Sequence, residues 1–172
     1  YNYPVHYLDE NGAWQDIDNV LYASGGEYMT SDTRIKFAKK ITGNETLFTL
    51  HNGSKKISFS LENAKKGVKG SVANGEDAEE DTELQKMMNL EKLSSRVYYE
   101  NILDGADVEY VISSNNMKEN IIVKEKKDSY SYTFSLKLNN LTAALDGGNV
   151  QITDNDGNTA YIIPAPVVWD SI

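Results

Sequence analysis

Residues 98 to 138 read YYENILDGADVEYVISSNNMKENIIVKEKKDSYSYTFSLKL, and this stretch decides the fold. From Tyr130 to Leu138, large apolar side chains alternate with polar ones, which predicts a β-strand with one buried and one solvated face. Such alternation is typical of antiparallel sheets. Val108–Ile112 alternates in the same way, and Met117–Lys126 follows a polar turn. We therefore predict a three-stranded meander on which the rest of the chain packs.

The remaining chain consists largely of short alternating segments joined by turn residues. Thr46–Leu50 and Lys56–Leu61 flank an Asn-Gly pair, which is a strong hairpin signal. Asn149–Thr153 and Thr159–Ile163 flank a second turn and predict a terminal hairpin. The predicted fold class is mainly β, as an antiparallel β-sandwich or open barrel of hairpins and meanders.

One segment breaks the β pattern. Residues 74–81 are acidic and lack aromatic side chains, so we interpret them as an exposed loop. Thr82 and Gln85 then fit a helix-capping box, and a helical apolar spacing continues to Leu93. The sequence thus predicts one short inserted helix over 82–93, within a single β-rich domain that spans 1–172.

Composition narrows the classes of function. The chain of 172 residues has no cysteine, which excludes disulfides and thiolate metal sites. Its net charge is −9, which argues against nucleic-acid binding because phosphate backbones are repelled. No apolar run is long enough to span a membrane. Because the chain begins at Tyr1 without methionine, we interpret it as a piece of a larger protein.

The candidate metal site lies in the turn of the terminal hairpin. Asp154, Asp156 and Asn158 alternate around Gly157 and offer oxygen ligands of the kind that calcium prefers. A hairpin turn explains the same residues, since Asp, Asn and Gly tolerate positive φ. No other cofactor is predicted.

No catalytic residue is predicted from the sequence. His6 and His51 lie in different hairpins without a metal-pair spacing, and no serine lies in a nucleophile elbow. Asp107 with Glu109, and Glu119 with Glu125, are carboxylate pairs of the kind that hydrolyse glycosides, although acids are common on a solvated strand face. Trp14 and Trp169, near the two ends of the chain, are predicted to contact neighbouring domains.

Three separated motifs carry a resemblance to a known group of proteins. They are Tyr99-Glu100-Asn101 with Asp104–Val108, Tyr110 and Lys118–Val123; Pro4–Tyr7 with Asp9, Gly12, Trp14, Ile17–Asn19 and Leu21; and Ile163–Pro166 with Trp169-Asp170-Ser171. Together they resemble the region that precedes the repeats in RHS (YD)-repeat proteins, which Gram-positive bacteria secrete or attach to the cell wall. The resemblance implies an extracellular or wall-associated location and an architecture. It implies no reaction, since no catalytic residue of that region is assigned.

These observations lead to one functional prediction and two alternatives. The prediction is a non-catalytic structural or interaction module of a large secreted or wall-associated bacterial protein, with neighbouring domains of the same chain as partners. The first alternative is a carbohydrate-binding adhesion module that stacks exposed aromatic rings on cell-wall glycan. A hydrolase is the second alternative.

Overall fold

A computed structural model describes residues 3–43, 46–75 and 90–169. The described residues form several antiparallel sheets and no closed barrel, which confirms the predicted mainly-β class. Their strands are β1 (His6–Leu8), β2 (Trp14–Asp16), β3 (Tyr22–Ser24), β4 (Glu27–Met29), β5 (Ile35–Ala38), β6 (Phe48–Asn52), β7 (Lys55–Leu61), β8 (Gly70–Asn74), β9 (Ser94–Leu103), β10 (Ala106–Ser113), β11 (Asn116–Val123), β12 (Phe134–Asn139), β13 (Leu141–Asp146), β14 (Asn149–Asp154) and β15 (Thr159–Ile163).

Two sheets form the body of the fold. The larger has the strand order β12-β7-β6-β5-β4-β3, and the smaller has the order β11-β10-β9-β8. The predicted hairpin on the Asn-Gly turn is confirmed, because β6 pairs with β7 in the register Phe48↔Phe59. Gly53 in that turn has a φ of 57°, a backbone conformation that glycine adopts more easily than residues with a side chain.

The main core lies between these two sheets. Phe37 and Phe48 of the larger sheet contact Tyr110 of the smaller one, with ring centroids 5.4 and 4.9 Å apart. The phenol of Tyr99 is fully buried and donates a hydrogen bond to the Ala38 carbonyl at 2.7 Å, across the two layers. Aromatic rings bury large apolar areas and favour tilted contacts, so this cluster stabilises a sandwich-like packing.

A close backbone approach joins the sheets at one edge. Gly70 begins β8, and a Cβ there would lie 2.9 Å from the Tyr99 ring. Its carbonyl accepts a hydrogen bond from the Tyr28 hydroxyl at 3.1 Å. Glycine therefore lets the smaller sheet meet β4 and β5 of the larger sheet at this point.

The third sheet has the order β13-β14-β15 and contains the predicted terminal hairpin. Its fully buried Ile152 packs with Leu141 and with Ile57 of β7, which lies on the same strand face as Phe59 and Leu61. This smaller cluster therefore adjoins the main core along one face of β7, where Phe59 contacts both clusters. The β1–β2 hairpin turns on Asp9, whose carboxylate accepts hydrogen bonds from the Asn11 and Ala13 amides.

The predicted meander is wrong in its third strand. β10 and β11 pair as expected, but β12 pairs with β7 in the other sheet. The strand also begins at Phe134 rather than at Tyr130, because residues 124–133 cross from one sheet to the other. Tyr130 is 46% exposed, so its predicted core position is wrong as well.

The inserted segment is described only at its ends. Asn74 belongs to β8 rather than to a loop, and its side chain exchanges two hydrogen bonds with the backbone of Leu21. Leu90–Leu93 is a 3₁₀ turn, whereas the rest of the predicted acidic loop and helix lies outside the described residues. In the described part of the chain, no helix has the length and apolarity that crossing a membrane requires.

Candidate functional site

A pocket of about 380 Å³ opens where three segments of the chain meet. They are the turn after β7, the β9–β10 turn and the crossing segment that leads into β12. The backbone amide of Glu62 donates to the Thr133 carbonyl at 2.9 Å, and that of Lys65 donates to the Ile102 carbonyl at 2.8 Å. These bonds fix the three segments against one another. We call this site the tyrosine pocket because Tyr130 and Tyr132 line it.

Two lysines, Lys65 and Lys127, line the tyrosine pocket together with two acids, Glu62 and Asp104. The ammonium of Lys65 lies 3.7 Å, and that of Lys127 lies 3.4 Å, from the Asp104 carboxylate. Lys127 also donates to the Asp104 carbonyl at 2.9 Å. The Asp104 side chain is 89% exposed, so water screens both ion pairs. A stronger anion, such as a phosphate, can therefore compete with Asp104 for the two ammonium groups.

The crossing segment supplies hydroxyls and rings in alternation. Ser129, Ser131 and Thr133 line the tyrosine pocket together with the two tyrosines. The Tyr130 hydroxyl accepts a hydrogen bond from the Lys127 amide at 2.8 Å and donates one to the Glu125 carbonyl at 3.0 Å. Its ring is thereby held at the surface instead of in the core. The site can neutralise a phosphate, hydrogen-bond a sugar and stack on a planar ring.

A second polar cluster lies on the β9–β11 sheet around Asp107. This carboxylate is 1% exposed and accepts hydrogen bonds from the Lys124 ammonium at 2.7 Å, the Asn101 amide at 2.6 Å and the Tyr98 hydroxyl. Burial raises the pKa of Asp107, but the bonds from Lys124, Tyr98 and Asn101 outweigh it, so the net shift is downward. The hydrogen bond to Asp107 raises the pKa of Tyr98 to about 12.

The Asp107 cluster is better suited to stability than to proton transfer. A general acid or base needs a pKa near the working pH. Here the pKa of Asp107 is lowered and that of Tyr98 is raised, so both values lie further from neutral pH than usual. The other acid of the predicted pair, Glu109, contacts Arg96 at 3.5 Å and accepts a hydrogen bond from Asn120 at 2.9 Å. Asp107 and Glu109 thus bind different partners and do not act as a pair.

Glu119 and Glu125, the other predicted pair, also serve separate contacts. Glu119 accepts a hydrogen bond from the buried Tyr110 hydroxyl at 2.7 Å, and desolvation raises its pKa. Glu125 lies beside the β9–β10 turn, where its carboxylate is 3.3 Å from the position of a Cβ on Gly105.

The predicted calcium ligands lie in the β14–β15 turn. Asp154 accepts hydrogen bonds from the Lys55 ammonium at 2.7 Å and from the amides of Asp156 and Asn158 at 3.1 and 2.9 Å. The hydrogen bond from Lys55 contributes most to lowering the pKa of Asp154, to about 2. Within the described residues, no group of three or more His, Asp or Glu side chains is placed to hold a metal ion. Calcium binding stays a prediction.

Asp154→Asn is expected to lower the melting temperature at pH 7 and to have no effect near pH 2. Because the folded pKa lies below the usual value of 3.8, the ionised carboxylate stabilises the fold above about pH 4. That stability is lost as the pH falls through about 2. Thermal melts of both proteins across this range measure it, and a difference independent of pH would contradict it. A rise in melting temperature with calcium, absent in the variant, would support the predicted ion.

The remaining predicted residues lie apart from the tyrosine pocket. Trp14 is 69% and Trp169 is 83% exposed, and their role in contacts stays a prediction. His6 lies 3.1 Å from Asp16 at the exposed β1–β2 hairpin. Partial burial lowers the pKa of His51, with a further contribution from Lys36.

Comparison with known proteins gives three distant relatives, all of them nucleases by name. The chain is 23% identical to the tRNA nuclease WapA of Bacillus subtilis strain 168, over 98% of its own length and 7% of that protein. The same values hold for the tRNA(Glu)-specific nuclease WapA of Bacillus subtilis subsp. natto. The tRNA3(Ser)-specific nuclease WapA of Bacillus spizizenii is 22% identical over the same shares. No family model and no solved structure matches the chain.

These relatives correct several of the predictions. The assignment to the pre-repeat region of RHS-repeat proteins is wrong, because the relatives are named as tRNA nucleases and no repeat family matches. The non-catalytic module, its carbohydrate-binding alternative and the absence of enzyme activity are corrected on the same ground. The exclusion of nucleic-acid partners is also wrong. The extracellular location, the single domain and the absence of other cofactors stay predictions.

The charge argument considered only the whole chain. A net charge of −9 includes six acids between residues 76 and 83. Lys65 and Lys127, by contrast, meet at one pocket from distant parts of the sequence, together with Glu62 and the exposed Asp104. A nucleic acid responds to the local potential within about 10 Å at ordinary salt, so a local group of lysines can bind phosphate on an acidic protein. The Lys-Glu-Lys-Lys run before Ser129–Thr133 was the signal available in the sequence.

Proposed function

We propose that this chain is part of a nuclease that cleaves tRNA, and that it takes part in the reaction by holding RNA at the tyrosine pocket. The observation that carries the proposal is the similarity to proteins named as tRNA nucleases over 98% of the chain. The chain spans about 7% of the length of those relatives. A role for this chain in their nuclease activity is therefore a proposal.

The chemistry of the tyrosine pocket supports an RNA ligand. Its volume of about 380 Å³ lies within the usual range for small-ligand sites, about 300–1,000 Å³. Lys65 and Lys127 are spaced around Asp104 so that both ammonium groups can contact one phosphate. The exposed ring of Tyr130 provides a surface on which a base can stack, and the serines can bond to a ribose hydroxyl.

The pocket favours single-stranded RNA over a duplex. Stacking on Tyr130 requires the base to leave its own stack, which is easiest in a loop. A tRNA offers such bases in its loops. Positive charge beside the bound phosphodiester also favours its cleavage, because charge builds up on the phosphate oxygens during the reaction.

Replacing both Lys65 and Lys127 with alanine is expected to slow tRNA cleavage by about tenfold, equivalent to about 1.4 kcal/mol of lost interaction. The assay incubates the full-length product of the gene with purified tRNA and follows its length on a denaturing gel. Lys137→Ala is the matched control, since this exposed lysine lies on β12 outside the pocket.

Two results would overturn the proposal. Intact tRNA after incubation with the natural full-length protein, with and without added Mg²⁺, would remove the nuclease function. Cleavage that is equally fast in the double variant and in the control would remove the tyrosine pocket from it. A parallel assay of the 172-residue chain shows whether the residues that break the bond lie within it.

A further inference from the structure

A group of lysines beside the tyrosine pocket forms a second cationic surface, the lysine ridge, which consists of Lys40, Lys66 and Lys69. All three side chains are exposed. Lys40 and Lys69 face each other across an isolated antiparallel bridge between the segment after β5 and the segment before β8. Lys66 lies in the adjoining turn and follows Lys65 of the pocket directly.

The backbone fixes the lysine ridge in place. The Ile41 amide donates to the Val68 carbonyl at 2.8 Å, and the Gly67 amide donates to the Ile41 carbonyl at 2.7 Å. The side chain of Lys66 reaches over Gly43, its Cε 3.6 Å from the position of a Cβ there. The three lysines therefore extend from a rigid corner of the sandwich rather than from a free loop.

The lysine ridge carries uncompensated charge. In the described part of the chain, no carboxylate lies within 4.0 Å of the ammonium groups of Lys40, Lys66 or Lys69. Some other lysines are paired, such as Lys55 with Asp154 and Lys124 with Asp107, whereas Lys118 and Lys137 have no ion pair with the described carboxylates but are not clustered. Like charges directly opposite each other across two strands are destabilising, so the Lys40–Lys69 pair costs stability in the free protein. A polyanion would remove that cost.

We infer that the lysine ridge binds the phosphate backbone of the tRNA whose nucleotide occupies the tyrosine pocket. Lys65 belongs to the pocket and adjoins Lys66, so one RNA strand or helix can contact both surfaces. The inference rests on the proposed function, because it takes tRNA as the polyanion. All three residues of the ridge are lysines, which contact phosphates. The ridge therefore supplies affinity without reading the base sequence.

The test measures tRNA binding separately from cleavage. Fluorescence anisotropy of labelled tRNA is followed against the full-length protein over a series of salt concentrations, with tRNA integrity checked on a gel. The triple variant Lys40→Gln, Lys66→Gln and Lys69→Gln is expected to bind at least about tenfold more weakly at low salt. Its slope of log affinity against log salt should decrease by roughly 2–3, since each phosphate contact contributes about 0.7–0.9.

The matched control is the double variant Lys118→Gln and Lys137→Gln, whose exposed lysines lie on β11 and β12, outside the ridge and the pocket. Circular dichroism melts show that each variant is folded.

An unchanged salt slope in the folded triple variant, with cleavage by the natural protein intact, would overturn the inference and leave the proposed function standing. Loss of tRNA binding without any cleavage by the natural protein would support the ridge and remove the nuclease function. Ridge-dependent binding to anionic lipid vesicles in place of tRNA would overturn the inference.

Discussion

Phe37→Ala is expected to lower the free energy of unfolding by about 3–5 kcal/mol, the range for removing a large aromatic side chain from a core. Phe37 is fully buried, and its ring contacts Phe48 at 5.7 Å and Tyr110 at 5.4 Å between ring centroids. It therefore lies where the two large sheets meet. Alanine would leave a cavity lined by rigid rings, which cannot collapse easily to fill it. Urea unfolding followed by tyrosine fluorescence measures the loss.

Phe134→Ala is the comparison variant for this prediction. Phe134 begins β12 at the edge of the larger sheet and is only half-buried against the same core. Its loss is expected to be clearly smaller than that of Phe37, since part of the lost contact area already faces water. Equal losses for both variants would mean that the sandwich core is not centred on Phe37.

The strands of this fold could be predicted locally, but their assembly into sheets could not. Alternation identified the β6–β7 hairpin and the β14–β15 hairpin, because a two-residue period and a turn signal are both local. Pairing of β12 with β7 joins Phe134 to Leu61, which are 73 positions apart. The sequence of either strand does not identify the strand that pairs with it. Both strands alternate apolar and polar residues, and this pattern fits any neighbouring strand that has one apolar face.

Tyrosine made the core prediction ambiguous. The adjacent pair Tyr98 and Tyr99 separates as alternation requires, with Tyr99 fully buried and Tyr98 bonded to Asp107. Tyr130 follows the same pattern in the sequence, yet its hydroxyl bonds to the backbone of its own loop. A tyrosine side chain is stable in the core or at the surface when its hydroxyl makes a hydrogen bond. The two-residue period alone therefore cannot predict whether a tyrosine is buried.

The tyrosine pocket could not be predicted for a different reason. Its lysines come from the turn after β7 and from the crossing segment, and their acid comes from the β9–β10 turn. Each piece looks like an ordinary solvated turn in the sequence. They become a site only because residues 124–133 cross from the smaller sheet to the larger one, which the predicted meander did not include.

The buried amide side chain of Asn19 is one of the contacts that hold the N-terminal segment to the sandwich, beside the bonds between Asn74 and Leu21. It is fully buried, and its Nδ2 donates hydrogen bonds of 2.8 Å to the carbonyls of Leu93 and Ser114. Its backbone amide donates to the Lys92 carbonyl at 2.7 Å. The 3₁₀ turn and the β10–β11 turn thus converge on a single residue. Nothing in the residues around Asn19 separates it from the asparagines of exposed turns.

Asn19→Leu is expected to lower the free energy of unfolding by about 2–4 kcal/mol. Leucine has a similar size but no donor, so two buried carbonyls lose their partners, at about 1–3 kcal/mol each before relaxation. Asn139→Leu is the matched control: Asn139 is exposed at the end of β12, and the same substitution should change stability by less than about 0.5 kcal/mol. Denaturant unfolding of the two variants compares them directly. If they differ by less than the error of the measurement, the two carbonyl bonds do not hold the N-terminal segment in place. If Asn19→Leu alone is destabilised and protease then cuts before Tyr22, the amide joins that segment to the rest of the fold.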